Sequence, residues 1–389
     1  MNSTERFVLS LIKSAIDGSI ATLPKDVDWD YFWHISKHFQ LTSLLCGGIN
    51  NSQIELPDAL EGKMNRVALD CLMYDQCQMY VFSEIMGLFD KNGIDYMPVK
   101  GLLMKRLYPS TDFRSMGDGD ILIRLEQYEK IKGIMKDVGC EFRCESAHEF
   151  VYNKNGVCIE LHKTLIPPYN KDYHSYYGDG WKLAVSDVGT RYKLSDNDHY
   201  VYMFTHFAKH YRDGGVGIMH MVDFWVYERS KELNFDYICE ELRKLQLLDF
   251  FNSIHSTIDV WFNGANETDV TGFITSRVLQ NGVWCNSESK ALASAVKTSK
   301  SSSVKGITFK KAMRIMFPRV DEMKFRYPVL KKKPILLPVC WVHRFFNTVL
   351  FKRDRLKSRI EEVKHSKKDK VIAYQDELHY VGLDFNFKE

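Results

Sequence analysis

Two aspartates separated by one residue, Asp118 and Asp120, are the positions in this sequence best suited to chemistry. They directly precede the apolar run 121–123, which is typical of a buried strand. Because alternate residues of a strand point to the same face, both carboxylates are expected to project together. Paired carboxylates repel each other unless a cation lies between them, and such oxygen ligands suit Mg²⁺ or Mn²⁺. The sequence therefore predicts a divalent-cation site at the start of this strand.

A third carboxylate comes from a later strand-like run, where Glu160 is followed two residues on by His162. A carboxylate from a neighbouring strand would complete a two-ion site, which clamps a nucleoside triphosphate and activates an attacking hydroxyl. The alternative is a purely structural pair, because aspartates at this spacing are also common in turns and helix caps. Spacing alone leaves both interpretations of Asp118 and Asp120 open.

A phosphate-binding junction is predicted at Val99-Lys100-Gly101, where a strand ends and a helical pattern begins. A glycine lets backbone N–H groups approach phosphates, and a helix N-terminus favours anions. Lys100 and Arg114 add positive charge for the same purpose. Strand–glycine–helix junctions occur in many α/β proteins, so the junction supports a phosphate site only together with the carboxylates.

The elements that must position these residues alternate between strands and helices from about residue 94 to residue 165, which indicates an α/β (α+β) core. An Asn-Gly dipeptide at 155–156 predicts a hairpin turn within it. Helical patterns precede and follow this core. The predicted division is a helical region at 1–92, a core with a mixed sheet at 93–190, a helical region at 191–300 and a basic segment at 301–389. Predicted strands cover 96–99, 121–123, 149–152 and 157–161, and predicted helices of the core cover 102–108 and 125–138.

The order of these motifs resembles that of a known family. The resemblance is carried by the run PVKGLLMKRLYPSTDFRSMGDGDILI and the later run VCIELHKTL. Both resemble the uncharacterised nucleotidyltransferase family of the DNA polymerase β-like superfamily, and the likeness extends over roughly residues 25–345. A downstream helical part, THFAKHYRDGGVGIMHMVDFWV, is also similar. The matching positions are Lys100, Gly101, Tyr108, Pro109, Arg114, Asp118, Asp120, Glu160, Leu161, His162, His206, His210 and Asp223.

This resemblance implies a nucleotidyltransferase-type fold and transfer of a nucleoside monophosphate from an NTP to a hydroxyl, with two Mg²⁺ or Mn²⁺ ions. It implies that Asp118 and Asp120 bind both ions, and that Glu160 binds the catalytic ion and helps to deprotonate the acceptor. The nucleotide-binding residues it implies are Lys100, Gly101, Arg114 and His162. The acceptor is left open between a small molecule, a saccharide, a protein and a nucleic acid, in a bacterial setting.

The sequence also departs from the superfamily pattern. Leu102 stands where a serine usually follows the phosphate-loop glycine, and Gly119 separates the aspartates where a bulky apolar residue is usual. Glycine weakens a strand and loosens the geometry of its neighbours. These departures favour a second hypothesis, in which the fold is kept as a nucleotide-binding or regulatory module without turnover.

Two other metal patterns are weak. The spacing Cys-x3-Cys-x3-His that ends at His148 lacks a fourth zinc ligand. His206 and His210 lack the glutamate of a metalloprotease helix. The two histidines are expected to lie near the nucleotide, to pair with Asp223 or to be structural.

Composition and charge limit the class of protein, its location and the partners of its basic segment. A chain with 45% hydrophobic and 26% charged residues excludes the disordered and fibrous classes. Its nine scattered cysteines, without a Cys-x-x-Cys pair, and the absence of a signal-peptide or transmembrane pattern predict a cytoplasmic protein. Residues 305–370 contain 20 Lys or Arg against 6 Asp or Glu. This basic segment predicts either a polyanionic partner or a solvated face that docks on the acidic remainder of the chain.

Overall fold

The central element of the fold is a mixed sheet whose middle strands carry the predicted carboxylates. A computed structural model describes residues 1–213, 215–281, 292, 313, 316–351 and 368–384. The sheet has seven strands in the order β3-β4-β5-β2-β1-β7-β6. Their bounds are Tyr96–Val99 (β1), Asp118–Ile123 (β2), Glu141–Glu145 (β3), Glu149–Lys154 (β4), Val157–His162 (β5), Ala184–Val188 (β6) and Arg191–Leu194 (β7).

Two parallel pairings lie at the centre of this sheet. Strand β2 runs parallel to β5, and β1 runs parallel to β7. The pairs β1–β2, β3–β4, β4–β5 and β6–β7 are antiparallel. The mixed sheet flanked by helices confirms the predicted fold class.

The two faces of the sheet are covered by different helices. Helix α4 (Asp58–Lys91) covers one face with Val81, Phe82, Ile85 and Phe89, which share a core with Ile121, Ile123 and Ile159. The opposite face joins a larger core that contains Met97, Leu122 and Tyr202. The helices that surround the sheet are α1 (Ser3–Asp17), α2 (Trp29–His38), α3 (Thr42–Ser52), α4, α5 (Gly101–Met104), α6 (Tyr128–Asp137), α7 (Lys171–Tyr177), α8 (Asp196–Arg212), α9 (Ile218–Ser230), α10 (Phe235–Lys244), α11 (Leu248–Ile258) and α12 (Asp269–Asn281).

The predicted hairpin between β4 and β5 is confirmed. Asn155 and Gly156 have φ angles of 53° and 82°. Positive φ at both central residues is the requirement of a two-residue type I′ turn, which Asn-Gly meets at low cost. The turn fixes the register of the two strands, with Lys154 opposite Val157 and Glu149 opposite His162.

Three short strands were not predicted: β3 and β6 at the two edges of the sheet, and β7 next to β6. Residues 141–145 and 191–194 alternate charged and apolar side chains, but only over five and four residues, and residues 184–188 lack this alternation. Edge strands commonly carry charges because their outer side faces solvent. Pairing with neighbouring strands stabilises such short segments, and the local sequence does not specify that pairing.

Some predicted helix bounds were too long or were merged. The helix predicted at 102–108 is only α5, followed by a single tight turn at Lys105–Leu107. Within the helical region predicted at 1–92, the apolar spacing of residues 26–45 predicts one helical pattern, and the structure divides it between α2 and α3. These differences lie at element ends, where sequence patterns are least informative.

The basic segment is described only in part. The Ser- and Lys-rich stretch at 287–305, whose composition predicts a linker, lies outside the described residues except for Leu292. Helices α13 (Val320–Met323), α14 (Val329–Lys332) and α15 (Leu337–Phe351) form a small separate core. Nζ of Lys331 in α14 lies 3.3 Å from Oε2 of Glu145 on β3. This ion pair is of the kind expected where a basic face docks on the acidic remainder. The last described helix, α16, spans Lys368–Tyr380.

No helix among the described residues combines the length and the apolar character needed to cross a membrane.

Candidate active site

Neighbouring parallel strands bring the predicted carboxylates together. Asp120 on β2 lies directly opposite Glu160 on β5, and Leu122 lies opposite His162. Ile121 and Ile159 face helix α4. Because side chains alternate between the faces of a strand, Asp120 and Glu160 project from the opposite face. Asp120, Glu160 and His162 offer ligand atoms that all lie within 4.8 Å of one another.

Asp118 occupies the exposed beginning of β2 and projects from the same face as Asp120. It is not part of the group formed by Asp120, Glu160 and His162. Desolvation and the nearby charges of Asp120 and Glu160 raise the pKa of Asp118 to about 6. A cation bound beside these carboxylates would favour the ionised form of Asp118.

Asp120 is the buried centre of the site and is only 4% exposed. Its Oδ1 atom accepts hydrogen bonds from Nζ of Lys100 at 3.0 Å and from Nε2 of His162 at 2.7 Å. Burial opposes ionisation, but the charges of Lys100 and His162 outweigh it and hold the pKa of Asp120 well below its usual range. Asp120 is therefore an ionised carboxylate, and Oδ2 is the oxygen that these two residues leave available.

The backbone conformation of Lys100 is unusual for a residue other than glycine. It follows β1 directly and has φ 52° and ψ −122°. Positive φ is costly for residues other than glycine, and such strain persists where the surrounding structure imposes it. At the next position, a Cβ on Gly101 would lie 2.8 Å from Sδ of Met116. Gly101 therefore fits its position for packing reasons as well as for the predicted approach to phosphate.

Lys100→Gly is expected to unfold at higher denaturant concentration than Lys100→Ala, with a difference of about 1 kcal/mol in the free energy of unfolding. Both variants lose the ion pair with Asp120, so their difference reports only the backbone at residue 100. Urea unfolding followed by circular dichroism measures it. In helix α4 the exposed Lys63 provides the matched control, where alanine should be the more stable by about 1 kcal/mol. If alanine were also more stable than glycine at residue 100, the backbone of Lys100 would not be strained.

Arg114 is bound to a buried carboxylate on helix α9. Its Nη2 atom lies 2.8 Å from Oδ2 of Asp223, and its Nε atom lies 3.3 Å from Oδ1. The hydroxyl of Tyr108 donates a hydrogen bond of 2.8 Å to Oδ1 of the same carboxylate. These contacts link the loop before β2 to the helical region. The predicted contact of Arg114 with phosphate stays a prediction, and it must be compatible with this ion pair.

Tyr108→Phe is expected to reduce the free energy of unfolding by about 2 kcal/mol, because it removes a buried hydrogen bond to a charged acceptor. Tyr108 is only 5% exposed, whereas Tyr80 in helix α4 is 66% exposed. Tyr80→Phe is therefore the control and should change stability by less than about 0.5 kcal/mol. Equal effects of the two substitutions in thermal or urea unfolding would show that the Tyr108 hydroxyl does not support Asp223.

Helix α8 carries the two histidines of the downstream motif. His206 and His210 lie with their Nε2 atoms 3.1 Å apart. Within the described part of the chain, the carboxylate of Asp223 binds Arg114 and Tyr108 and not these histidines, so the predicted pairing is not formed. Burial, together with neighbouring positive charge that includes Lys100, lowers the pKa of both imidazoles well below the usual value. Both imidazoles are therefore neutral, and both are close enough to Lys100 to be affected by its positive charge.

His148 and Glu149 are also near the carboxylates, a position that was not predicted for them. They precede and begin β4, and Glu149 lies opposite His162. The signal that could have found them is the Asn-Gly turn at 155–156. In a two-residue hairpin, counting outward from the turn pairs 154 with 157 and therefore 149 with 162. His148, Glu149 and His162 form a second group whose ligand atoms lie within 4.8 Å of one another.

Comparison with known proteins adds one finding to this geometry. A family model described as uncharacterised nucleotidyltransferase matches residues 25–263, which is more than half of the chain. No curated protein and no solved structure matches the chain. The matched range contains β1, β2 and β5 together with helices α8 and α9, and so includes every predicted site residue.

Proposed function

The chain belongs to the uncharacterised nucleotidyltransferase family, and from this premise we propose that it transfers a nucleoside monophosphate from an NTP to a hydroxyl acceptor. The observation that carries the proposal is the position of Asp120 directly opposite Glu160 on adjacent parallel strands. Asp118 lies two residues before Asp120 on the same face of β2. This arrangement provides three carboxylates at one end of a strand pair.

The residues present fit divalent cations of the Mg²⁺ class. Desolvation, together with the charges of Asp120 and Glu160, raises the pKa of Asp118. Lys100 and His162 both contact Oδ1 of Asp120, so the remaining oxygens of Asp118, Asp120 and Glu160 are the candidates for holding Mg²⁺ or Mn²⁺. When bound, such ions neutralise phosphate charge and lower the pKa of a coordinated hydroxyl.

The proposed reaction makes and breaks one phosphorus–oxygen bond. The acceptor hydroxyl oxygen attacks the α-phosphorus, the bond to the bridging oxygen breaks, and pyrophosphate leaves with that electron pair. Glu160 is the proposed acceptor of the hydroxyl proton. Its Oε2 atom lies 3.3 Å from Nε2 of His162, which orients the carboxylate.

Lys100 is the proposed triphosphate ligand that comes from the protein. In the structure its ammonium neutralises Asp120 at 3.0 Å. If a cation takes over neutralisation of this carboxylate, the ammonium becomes available to a phosphate oxygen within reach of its side chain. A lysine is suited to this role because it acts as a compact point charge on a flexible stem.

Pyrophosphate release from each of the four NTPs tests the proposal, with Mg²⁺ or Mn²⁺ and a host-cell extract as the source of acceptors. Purified protein should release pyrophosphate with at least one NTP and transfer its labelled nucleoside monophosphate to a component of the extract. Asp118→Asn and a chelator should each stop release. Release that continues unchanged in Asp118→Asn would show that these carboxylates are not the active site.

A second candidate, a nucleotide-binding module without turnover, is favoured by one specific observation. Asp120 is neutralised by two groups of the protein itself, Lys100 and His162. A site whose charge is balanced in this way can hold an NTP without catalysing transfer. Calorimetry separates the two candidates, because the module predicts metal-dependent NTP binding without pyrophosphate release.

A further inference from the structure

A second set of side chains able to hold a metal ion lies beside the carboxylates. The proposed transfer reaction does not use His148 and Glu149, and it uses His162 only through Nε2. Glu149 on β4 is directly opposite His162 on β5, and side chains in directly opposite antiparallel positions share one face of the sheet. His148 immediately precedes Glu149. The three residues offer one ligand atom each, all within 4.8 Å of one another. Their proximity follows from strand register and not from a flexible surface loop.

The turn before β4 holds His148 in place. The backbone N–H groups of His148 and Glu149 both donate to Oγ of Ser146, each at 3.1 Å. Nδ1 of His148 lies 3.1 Å from Oγ1 of Thr164. Its other ring nitrogen, Nε2, lies 4.0 Å from Oε2 of Glu149. With Nδ1 engaged, Nε2 is the nitrogen of His148 that is available to a ligand.

His162 has a buried ring nitrogen without a hydrogen-bond partner among the described residues. The side chain is 1% exposed, and its Nε2 atom contacts Asp120 at 2.7 Å and Glu160 at 3.3 Å. Nδ1 is the buried nitrogen that lacks a partner there. Burying a polar atom without a partner is costly, and such atoms in native proteins call for an explanation. Histidines that bind metals commonly donate their second N–H to a carboxylate, which is the arrangement of His162 with Asp120.

We propose that His148, Glu149 and His162 bind a divalent transition-metal ion, through Nε2, a carboxylate oxygen and Nδ1. Two imidazoles and one carboxylate are a ligand set that suits Zn²⁺, Co²⁺, Mn²⁺ or Fe²⁺, whereas Mg²⁺ prefers oxygen ligands alone. Three protein ligands leave a coordination position for water or a substrate atom. The site is distinct from the ions proposed at Asp118, Asp120 and Glu160, and it does not depend on nucleotide transfer.

Cobalt binding tests this proposal, because Co²⁺ bound to imidazole and carboxylate absorbs visible light and Mg²⁺ does not. Wild-type protein in a large excess of Mg²⁺ should bind one Co²⁺ with a visible absorption band, and Zn²⁺ should abolish that band. His148→Asn and Glu149→Gln should each weaken Co²⁺ binding by more than the roughly 10–100-fold that loss of an outer-shell partner costs. Absence of Co²⁺ binding by the wild-type protein would overturn the proposal.

Three control variants exclude other sites. Asp118→Asn should keep the Co²⁺ band, since Asp118 is outside the group. Cys144→Ser tests the exposed thiol in the neighbouring strand, and His34→Asn tests the stacked pair His34 and His38 on helix α2. Both should also keep the band. If His206→Asn abolishes the band while His148→Asn and Glu149→Gln leave it intact, the ion belongs to helix α8 and the proposal is wrong.

X-ray absorption spectroscopy of the zinc-loaded wild-type protein gives a measurement that needs no variant. The proposal requires scattering from two imidazoles and oxygen, without sulfur. A sulfur shell or fewer imidazoles would overturn it, even if the variants failed to fold. Failure of the transfer reaction would leave this result unchanged, because the readout is the metal and not pyrophosphate.

Discussion

Asp118→Asn is expected to lower NTP-dependent pyrophosphate release by at least about 1,000-fold, while the folded protein becomes more stable at neutral pH. Metal ions supply several kcal/mol of charge stabilisation in such reactions, and about 4 kcal/mol corresponds to three orders of magnitude in rate. Asparagine keeps the size of the side chain but removes the negative charge that binds a cation. Initial rates of pyrophosphate release under saturating NTP and Mg²⁺ measure the loss.

The gain in stability follows from the pKa of Asp118. Its pKa in the folded protein is about 6, above the ordinary value of 3.8 for this group. The folded state is therefore penalised whenever the carboxyl is ionised, and this penalty is complete above pH 6 and absent below about pH 4. Without metal, Asp118→Asn should melt at a higher temperature than the wild type at pH 7.5 and at the same temperature at pH 3.5.

Added Mg²⁺ should reverse this order of stability. Wild-type protein is expected to gain thermal stability from Mg²⁺ in the presence of NTP, because ligands that bind only the folded state stabilise it. Asp118→Asn should gain little. Glu126→Gln, on the turn that follows β2, is a charge-matched control outside the site and should keep wild-type activity. If Asp118→Asn lowers activity and stability together at pH 7.5 without metal, the loss reflects folding and not cation binding.

The sequence was sufficient for those parts of the site that depend on alternation within one strand. Asp118 and Asp120 were predicted on one face because a strand repeats every two residues. Glu160 and His162 were predicted on a neighbouring strand, but their register against β2 follows from parallel pairing between residues 40 positions apart, as for Asp120 and Glu160, which no local pattern encodes. The residue pattern indicated only that Glu160 could complete the site, and the family resemblance implied the roles of Glu160 and His162.

Tertiary contacts decide what the sequence could not specify. Lys100 and Arg114 were predicted to hold phosphate because they add positive charge, and both phosphate contacts stay predictions. In the structure, the ammonium of Lys100 contacts Asp120. Arg114 contacts Asp223 on a helix more than 100 residues away. In both cases the partner of a cation depends on how distant elements pack. Charge type could be predicted from the sequence, but the partner could not.

Gly119 is the departure from the superfamily pattern that the structure explains by packing. It lies between the two aspartates on β2 and faces helix α4, where a Cβ would lie 2.0 Å from Cζ of Phe82. The aromatic ring therefore occupies the space of a side chain at residue 119. A strand glycine of this kind marks a close approach of another element. Its presence is thus a requirement of the helix–sheet contact and gives no reason to expect loss of turnover.

Gly119→Val is expected to reduce the free energy of unfolding by about 3 kcal/mol or more, because a side chain at this position overpacks the contact with Phe82. Phe82→Ala alone should cost about 3–5 kcal/mol through the cavity it leaves. The double variant should be more stable than the sum of the two losses predicts, with a coupling of about 1–3 kcal/mol, since each change compensates the other. Urea unfolding of the four proteins measures this coupling.

A glycine on the same helix as Phe82 shows whether the effect belongs to the contact. A Cβ added to Gly87 in helix α4 would meet no described atom within 4 Å beyond its own helical turn, so Gly87→Ala should stabilise the protein by up to about 1 kcal/mol. If Gly119→Val lowers the free energy of unfolding while Gly87→Ala raises it, residue 119 is small because Phe82 covers it. Additive losses in the double variant would instead mean that the ring does not rest on Gly119. In that case, contacts other than the one between Gly119 and Phe82 would have to hold β2 in the position that places Asp118 and Asp120 on its opposite face.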